Sequence, residues 1–148
     1  KDIDYMLIPW VWIKSNKINH LISFCLWYWL EWLLVMDNWE IPKNTRNDLK
    51  EYIFNGNEAE TDNKIKLIDA EEIEDLFTVW DICLIDTKIK NTDKRKPSKI
   101  IGDKRKIVFA KSFLQKVSNW EIKKENLDAA TISKFEEIFV WIEWKFQS

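Results

Sequence analysis

The sequence predicts a mainly α-helical fold: a compact single-domain bundle of about four or five helices, preceded by an irregular or β-like N-terminal arm. Three observations predict it. Apolar side chains recur at steps of three and four residues in several stretches. Only two glycines and three prolines interrupt the 148 residues. A content of 46% apolar and 32% charged residues is typical of a globular protein.

The N-terminal third combines an aromatic arm with an apolar helix. Residues 5–13 mix aromatic and β-branched side chains around Pro9, which favours an edge strand or an irregular arm. Apolar residues at helical spacing then predict a helix over residues 18–36. Its most apolar part, residues 21–36, rises about 24 Å as a helix, too little to cross a bilayer, so we expect no membrane span. Both faces of this helix carry apolar side chains, which makes homo-oligomerisation through residues 18–36 an alternative.

The middle of the chain predicts one short helix and one long helix. Asn47 and Asp48 are suited to cap a short helix that ends at Asn55 and Gly56, and the polar residues 57–63 predict a loop. Asp69 is followed three residues later by Glu72, as in a capping box. The apolar spacing after it predicts a long helix over residues 70–85.

The C-terminal half predicts a connector over residues 91–102 and then two further elements. Asp103 is expected to cap a helix with an apolar stripe that would face the core. This stripe contains Ile107, Ala110, Phe113, Leu114, Val117 and Trp120. Residues 128–146 fit a helical face but also alternate as a strand would. The cap at Asp128 and the following alanines favour a helix, and the alternative is an α+β fold with a C-terminal strand.

Charges of opposite sign are segregated along the chain. Residues 88–106 hold nine basic side chains and only two acidic ones, whereas residues 69–75 are acidic. A dense basic segment can neutralise phosphates, so nucleic-acid binding is one alternative function. Its phosphate contacts would be Lys94, Arg95, Lys96, Lys104, Arg105 and Lys106.

The composition excludes several kinds of chemistry. Two glycines cannot supply a Walker phosphate loop or a dinucleotide fingerprint, and one histidine with two separated cysteines cannot supply a four-ligand zinc site. We therefore expect no cofactor, no metal and no enzymatic activity. One weak catalytic pattern remains, because Glu143 and Lys145 form an acidic-x-Lys triplet that magnesium-dependent nucleases place on a strand.

Ten tryptophans are the main indication of function. Trp29, Trp32, Trp80 and Trp120 fall on predicted core faces. We expect Trp10, Trp12, Trp27 and Trp144 to be accessible and to bind a protein partner, since tryptophan dominates binding hot spots. The sequence thus predicts a non-enzymatic interaction module of the inhibitor, immunity or anti-defence type, with a composition typical of AT-rich genomes.

The context of the chain is less constrained by the sequence. Cys25 and Cys83 lie in apolar stretches, and no signal-peptide pattern is found at the start, so we expect a cytoplasmic protein. The chain begins with Lys1, which fits a fragment of a longer protein as well as residues 1–148 forming one domain.

Overall fold

The computed structural model describes residues 15–147, and the side chains of residues 18–146. This part of the chain is mainly helical, with seven α-helices and one two-stranded parallel sheet, so the mainly α prediction is confirmed. It divides into two compact units. The first unit comprises the residues up to Leu67 together with those from Ile142 onward, and the second comprises Ile68–Trp141. The single-domain organisation stays a prediction.

The first unit packs three helices around a short sheet. Its elements are α1 (Ser15–Trp27), β1 (Leu34–Met36), α2 (Glu40–Phe54), α3 (Glu58–Lys64) and β2 (Ile65–Leu67). The strands are parallel, with Leu34 opposite Ile65. The core consists of the buried side chains of Ile18, Ile22, Met36, Leu49 and Ile65.

The helix predicted over residues 18–36 is wrong in its second half. α1 ends at Trp27, Trp29 adopts a left-handed backbone conformation with φ 55°, and Leu34–Met36 forms β1. Parallel pairing with β2 provides hydrogen bonds along one edge of Leu34–Met36. Apolar spacing alone does not distinguish this outcome from a continued helix, because the strand is only three residues long.

The short helix predicted after Asn47 ends where expected but begins earlier. α2 starts at Glu40 and has Pro42 in its first turn, where a missing N–H removes no intrahelical hydrogen bond. Residues 57–63, predicted as a loop, are helical instead. Asn57 caps α3 by accepting a hydrogen bond from the Glu60 N–H at 3.2 Å.

The second unit is built from short helices and 3₁₀ turns. Its elements are a 3₁₀ turn (Ile73–Leu76), α4 (Val79–Ile85), α5 (Pro97–Ile101), a 3₁₀ turn (Asp103–Arg105), α6 (Lys106–Ser118), a 3₁₀ turn (Lys124–Asn126) and α7 (Ala129–Gln147, in this unit up to Trp141). The core consists of the buried side chains of Phe77, Ile82, Ile85, Ile101, Phe109 and Ile122.

The long helix predicted over residues 70–85 is wrong. The chain forms a 3₁₀ turn, becomes extended at Phe77, and only then enters α4. Thr78 Oγ1 accepts a hydrogen bond from the Asp81 N–H at 3.3 Å, and Asp81 Oδ2 accepts one from the Thr78 N–H at 3.0 Å. This capping box starts a new helix inside the stretch that the apolar spacing joined to residue 70.

The C-terminal segment is a helix, and the strand alternative is wrong. α7 begins directly after Asp128, as the cap predicted. The helix predicted to be capped by Asp103 begins at Lys106, because Asp103 lies in a 3₁₀ turn. The connector predicted over residues 91–102 contains α5.

The predicted N-terminal arm lies outside the described residues, as do Trp10 and Trp12. Among residues 15–147, none of the helices combines the length and apolar character that crossing a membrane requires.

Candidate protein-interaction site

Six large apolar side chains that lie close together in the sequence are exposed at the end of α1. This aromatic patch consists of Phe24, Leu26, Trp27, Tyr28, Trp29 and Leu30. Trp27 is 80% exposed and Trp29 is 94% exposed. Together the six side chains present roughly 800 Å² of surface, which is about what one partner contributes to a standard protein interface. Isolated exposed apolar side chains are ordinary, but a patch of this size is typical of an interaction surface.

The backbone turns directly after α1, at Trp29. Leu30 N–H donates to Cys25 O at 2.9 Å and Trp29 N–H donates to Leu26 O at 3.3 Å. This pair of hydrogen bonds is the Schellman geometry, which requires a left-handed residue and usually employs glycine. Here the left-handed position is occupied by Trp29. The chain therefore turns away from α1 at Trp29, and the Trp29 ring lies in solvent.

Trp29 makes this turn energetically unfavourable. A bulky residue in the left-handed region costs about 1–2 kcal/mol because its Cβ approaches a carbonyl oxygen. A ring that is 94% exposed offsets almost none of that cost by burial. The conformation thus favours a role in binding over a role in stability.

The aromatic patch carries no charge. Residues 21–30 include no acidic, basic or histidine side chain. Binding to this patch would therefore be driven by desolvation of apolar surface, with little electrostatic steering.

Trp144 is exposed at a different location from Trp27. The Trp144 side chain is 61% exposed, and Lys145 Nζ lies 4.4 Å from the centroid of its ring. Lys145 Nζ also donates to Asn63 Oδ1 at 2.6 Å. A cavity of about 570 Å³ in the first unit is lined by Glu31, Leu33, Asn63, Lys64, Trp144, Lys145 and Phe146. Trp27 does not line this cavity, so the two rings mark separate features of the first unit.

The exposure expected of Trp27 and Trp144 is confirmed, whereas three of the four tryptophans expected in the core are exposed. Trp29, Trp80 and Trp120 are 94%, 52% and 77% exposed, and only Trp32 packs against a core. Sequence reasoning missed most of the aromatic patch, because helical periodicity assigned Trp29 to the buried face. The signal that indicates it is the uninterrupted run of large apolar residues from Phe24 to Leu30.

Five of the nine basic side chains of residues 88–106 form ion pairs with acidic side chains of the same unit. The ion pairs are Arg95–Asp93, Lys96–Glu71, Lys99–Glu72, Lys106–Glu72, Lys106–Glu74, Lys106–Asp103 and Arg105–Asp86. Among the described residues, no ion pair involves Lys94 or Lys104. Of the six predicted phosphate contacts, four are thus engaged within the protein.

Glu72 is the central acid of this network. Burial alone would raise the pKa of its carboxyl group, but hydrogen bonds from Lys106 and Lys99 outweigh burial and lower the pKa. Conversely, burial would lower the pKa of Lys106, but the contacts with Glu72 and Glu74 raise it. Both groups therefore stay charged near neutral pH. The acidic and basic segments therefore compensate one another in part, which weakens the case for nucleic-acid binding through this segment.

Asp81 is fully buried in the second unit and is fully hydrogen-bonded. Its Oδ2 accepts hydrogen bonds from Thr78 Oγ1 at 2.7 Å and from Thr131 Oγ1 at 2.5 Å, and its Oδ1 accepts one from the Asp128 N–H at 2.8 Å. Burial would raise the pKa of this carboxyl group, but the hydrogen bonds outweigh burial and lower it. Through these hydrogen bonds Asp81 links α4 to the start of α7. Because its side chain is sealed from solvent, we assign Asp81 a structural role.

The weak catalytic candidates, Glu143 and Lys145, lie on α7 and not on a strand. Their proposed use in a nuclease depended on a strand that carries the triplet at a sheet edge, so the helix removes its structural basis. Within residues 15–147, no group of three or more His, Cys, Asp or Glu side chains is arranged to hold a metal ion.

The geometry thus offers an uncharged aromatic surface without a catalytic constellation in the described part of the chain. No protein-family model, curated protein or solved structure matches the chain.

Proposed function

We propose that this protein is a non-enzymatic protein-interaction module that binds its partner through the aromatic patch. The observation that carries the proposal is the exposure of Trp27 and Trp29 within one short run of exposed apolar side chains. Tryptophan and tyrosine anchors account for most of the affinity in many interfaces, and here they are presented together. Inhibitor, immunity and anti-defence proteins act through such binding, and we place the protein among them.

The organisation and location of the protein belong to the same proposal. A compact single-domain helical bundle over residues 1–148 remains part of this proposal. A cytoplasmic location is supported by Cys25 and Cys83, which are both free thiols.

Site-specific photo-crosslinking in the expressing cells tests the proposed surface. A photoreactive phenylalanine analogue is placed at Trp27, and a matched control carries it at Tyr52, an aromatic residue on α2 that is 79% exposed. We expect a discrete covalent adduct with one protein from position 27 and none from position 52. The adduct should be lost when Trp29→Gly is added, because the neighbouring anchor is then removed.

Equal crosslinking at both positions would indicate general exposure without a specific surface. The absence of any adduct at position 27 in cells that contain the natural partner would refute the proposed function.

A further inference from the structure

The exposed face of α6 carries a second apolar surface, in the second unit. The α6 stripe consists of Ile107, Ala110, Leu114 and Val117, and all four side chains are exposed. The sequence assigned these residues to the core, and that assignment is wrong. The core of this unit packs against the adjacent face of α6, through Phe109 and through Phe113, which the sequence had placed in the same stripe. α6 is therefore apolar on two faces, of which one is unpartnered in the unit.

The spacing of the α6 stripe is that of a coiled-coil seam. Its members are separated by three, four and three residues, which corresponds to alternating a and d positions over two heptads. Along a helix, the distance from Ile107 to Val117 is about 15 Å. A second helix can pack along such a seam, with its own a and d side chains inserted between these four.

The charges beside the stripe select among possible occupants. Residues 104–120 contain five basic side chains and no acidic one. Lys111 follows Ile107 by four residues and flanks the seam at an e position, and Lys104 precedes the seam in a 3₁₀ turn; both are exposed. Among the described residues, neither lysine has a recorded ion pair. They are thus available to acidic side chains of a partner.

A second copy of this chain fits the α6 stripe poorly. A twofold pair of copies along the seam would place Lys111 of one copy beside the basic flank of the other, and like charges destabilise such a pair. The helix that fits best has apolar a and d residues and acidic residues at its e and g positions.

The end of α6 adds an anchor beside the seam. Trp120 has φ 60° and is 77% exposed. It closes α6 with a Schellman pair of hydrogen bonds, from Glu121 N–H to Lys116 O at 2.9 Å and from Trp120 N–H to Val117 O at 3.0 Å. As at Trp29, a tryptophan with a left-handed backbone conformation lies exposed at the end of an apolar surface.

We propose that the α6 stripe is a docking site for an amphipathic helix of a partner protein that carries acidic residues beside its apolar face, where they would meet Lys111 and Lys104. This site is separate from the aromatic patch, and its test involves neither Trp27 nor Trp29.

Two synthetic helical peptides of about 20 residues test the proposal. They share leucine and isoleucine at the a and d positions and differ only in having glutamate or lysine at the e and g positions. Binding of each labelled peptide to the full chain is measured by fluorescence anisotropy at low salt. We expect the glutamate peptide to bind about tenfold or more tightly than the lysine peptide.

Variants of α6 separate the two parts of the proposal. Leu114→Glu should weaken binding of the glutamate peptide about 10- to 100-fold, because it places a charge in the seam. Gln115→Glu, the matched control on the adjacent exposed position, should change it by less than about threefold. Lys111→Glu should abolish or reverse the preference for the glutamate peptide.

Several results would overturn the proposal. These are equal affinity for both peptides, no binding of either peptide, and concentration-dependent self-association that Leu114→Glu removes. Binding to phosphatidylglycerol vesicles without binding to the glutamate peptide would also overturn it, since the occupant would then be a lipid surface.

Discussion

Replacing Trp29 with glycine should stabilise the protein while removing a binding anchor. The left-handed conformation at φ 55° costs a bulky residue about 1–2 kcal/mol, and glycine escapes this cost. Glycine also gains freedom in the unfolded chain, which offsets about 0.5–1 kcal/mol of the benefit. The exposed ring contributes little burial, so the net expectation for Trp29→Gly is a gain of about 0.5–1 kcal/mol in the free energy of unfolding.

Chemical denaturation, followed by far-ultraviolet circular dichroism, measures this difference. Trp29→Ala is the matched control, because alanine also loses the ring but keeps a Cβ in the left-handed region. We expect Trp29→Gly to be more stable than Trp29→Ala by about 1 kcal/mol. A loss of more than about 1 kcal/mol in both variants would show that the ring is packed, and the reasoning about strain and exposure would then be refuted.

Three further outcomes are expected. Asp81→Asn should lower the free energy of unfolding by about 2–4 kcal/mol in thermal or urea denaturation, because it leaves buried hydrogen-bond donors without an acceptor; an unchanged stability would contradict the network. In the folded protein the pKa of Asp81 lies below its ordinary value of 3.8. Its contribution to the free energy of unfolding should therefore be complete above about pH 5 and should be lost as the pH falls through the lowered pKa. A loss that begins near pH 6 in denaturation experiments would point to another group. Glu72→Gln should release Lys99, whereas Lys106 keeps Glu74 and Asp103, and it should raise the salt concentration needed to elute the protein from heparin; an unchanged elution would contradict the pairing of Lys99 with Glu72.

The sequence predicted the parts of the fold where local signals agree with one another. At α7, the cap at Asp128, the alanines after it and the helical spacing all favour a helix, and the helix is present. The end of α2 at Asn55 was predicted for the same reason, since asparagine accepts the left-handed backbone found there. Over residues 70–85, apolar spacing and an apparent capping box favoured one helix, but the stronger box at Thr78 and Asp81 begins a separate one.

Burial could not be predicted from periodicity. The α6 stripe has the spacing of a core face, yet the core packing comes from the adjacent face, through Phe109 and Phe113. When a helix is apolar on two faces, the pattern does not indicate which face the rest of the unit covers. Similarly, no glycine marks the left-handed turn at Trp29, so helical periodicity predicted a buried ring there.

The pairing of the basic segment with the acidic segment could not be predicted from the sequence either. Residues 88–106 and 69–75 were recognised as basic and acidic segments, but their pairing depends on the turn that brings Lys106 to Glu72. A basic segment is available to phosphates only if the fold leaves its charges free. The tertiary structure therefore weakens the nucleic-acid alternative that the sequence left open.

Hydroxyl-radical footprinting of the tryptophan side chains in the monomeric, isolated protein tests the central claim most directly. The exposed rings of Trp27 and Trp29 should be oxidised several-fold faster than Trp32, which packs against the core of the first unit. Adding the partner that crosslinking identifies to the unmodified protein should protect both rings. If Trp27 and Trp29 are as protected as Trp32 in the monomer, the aromatic patch is not a free surface and the proposed function is wrong.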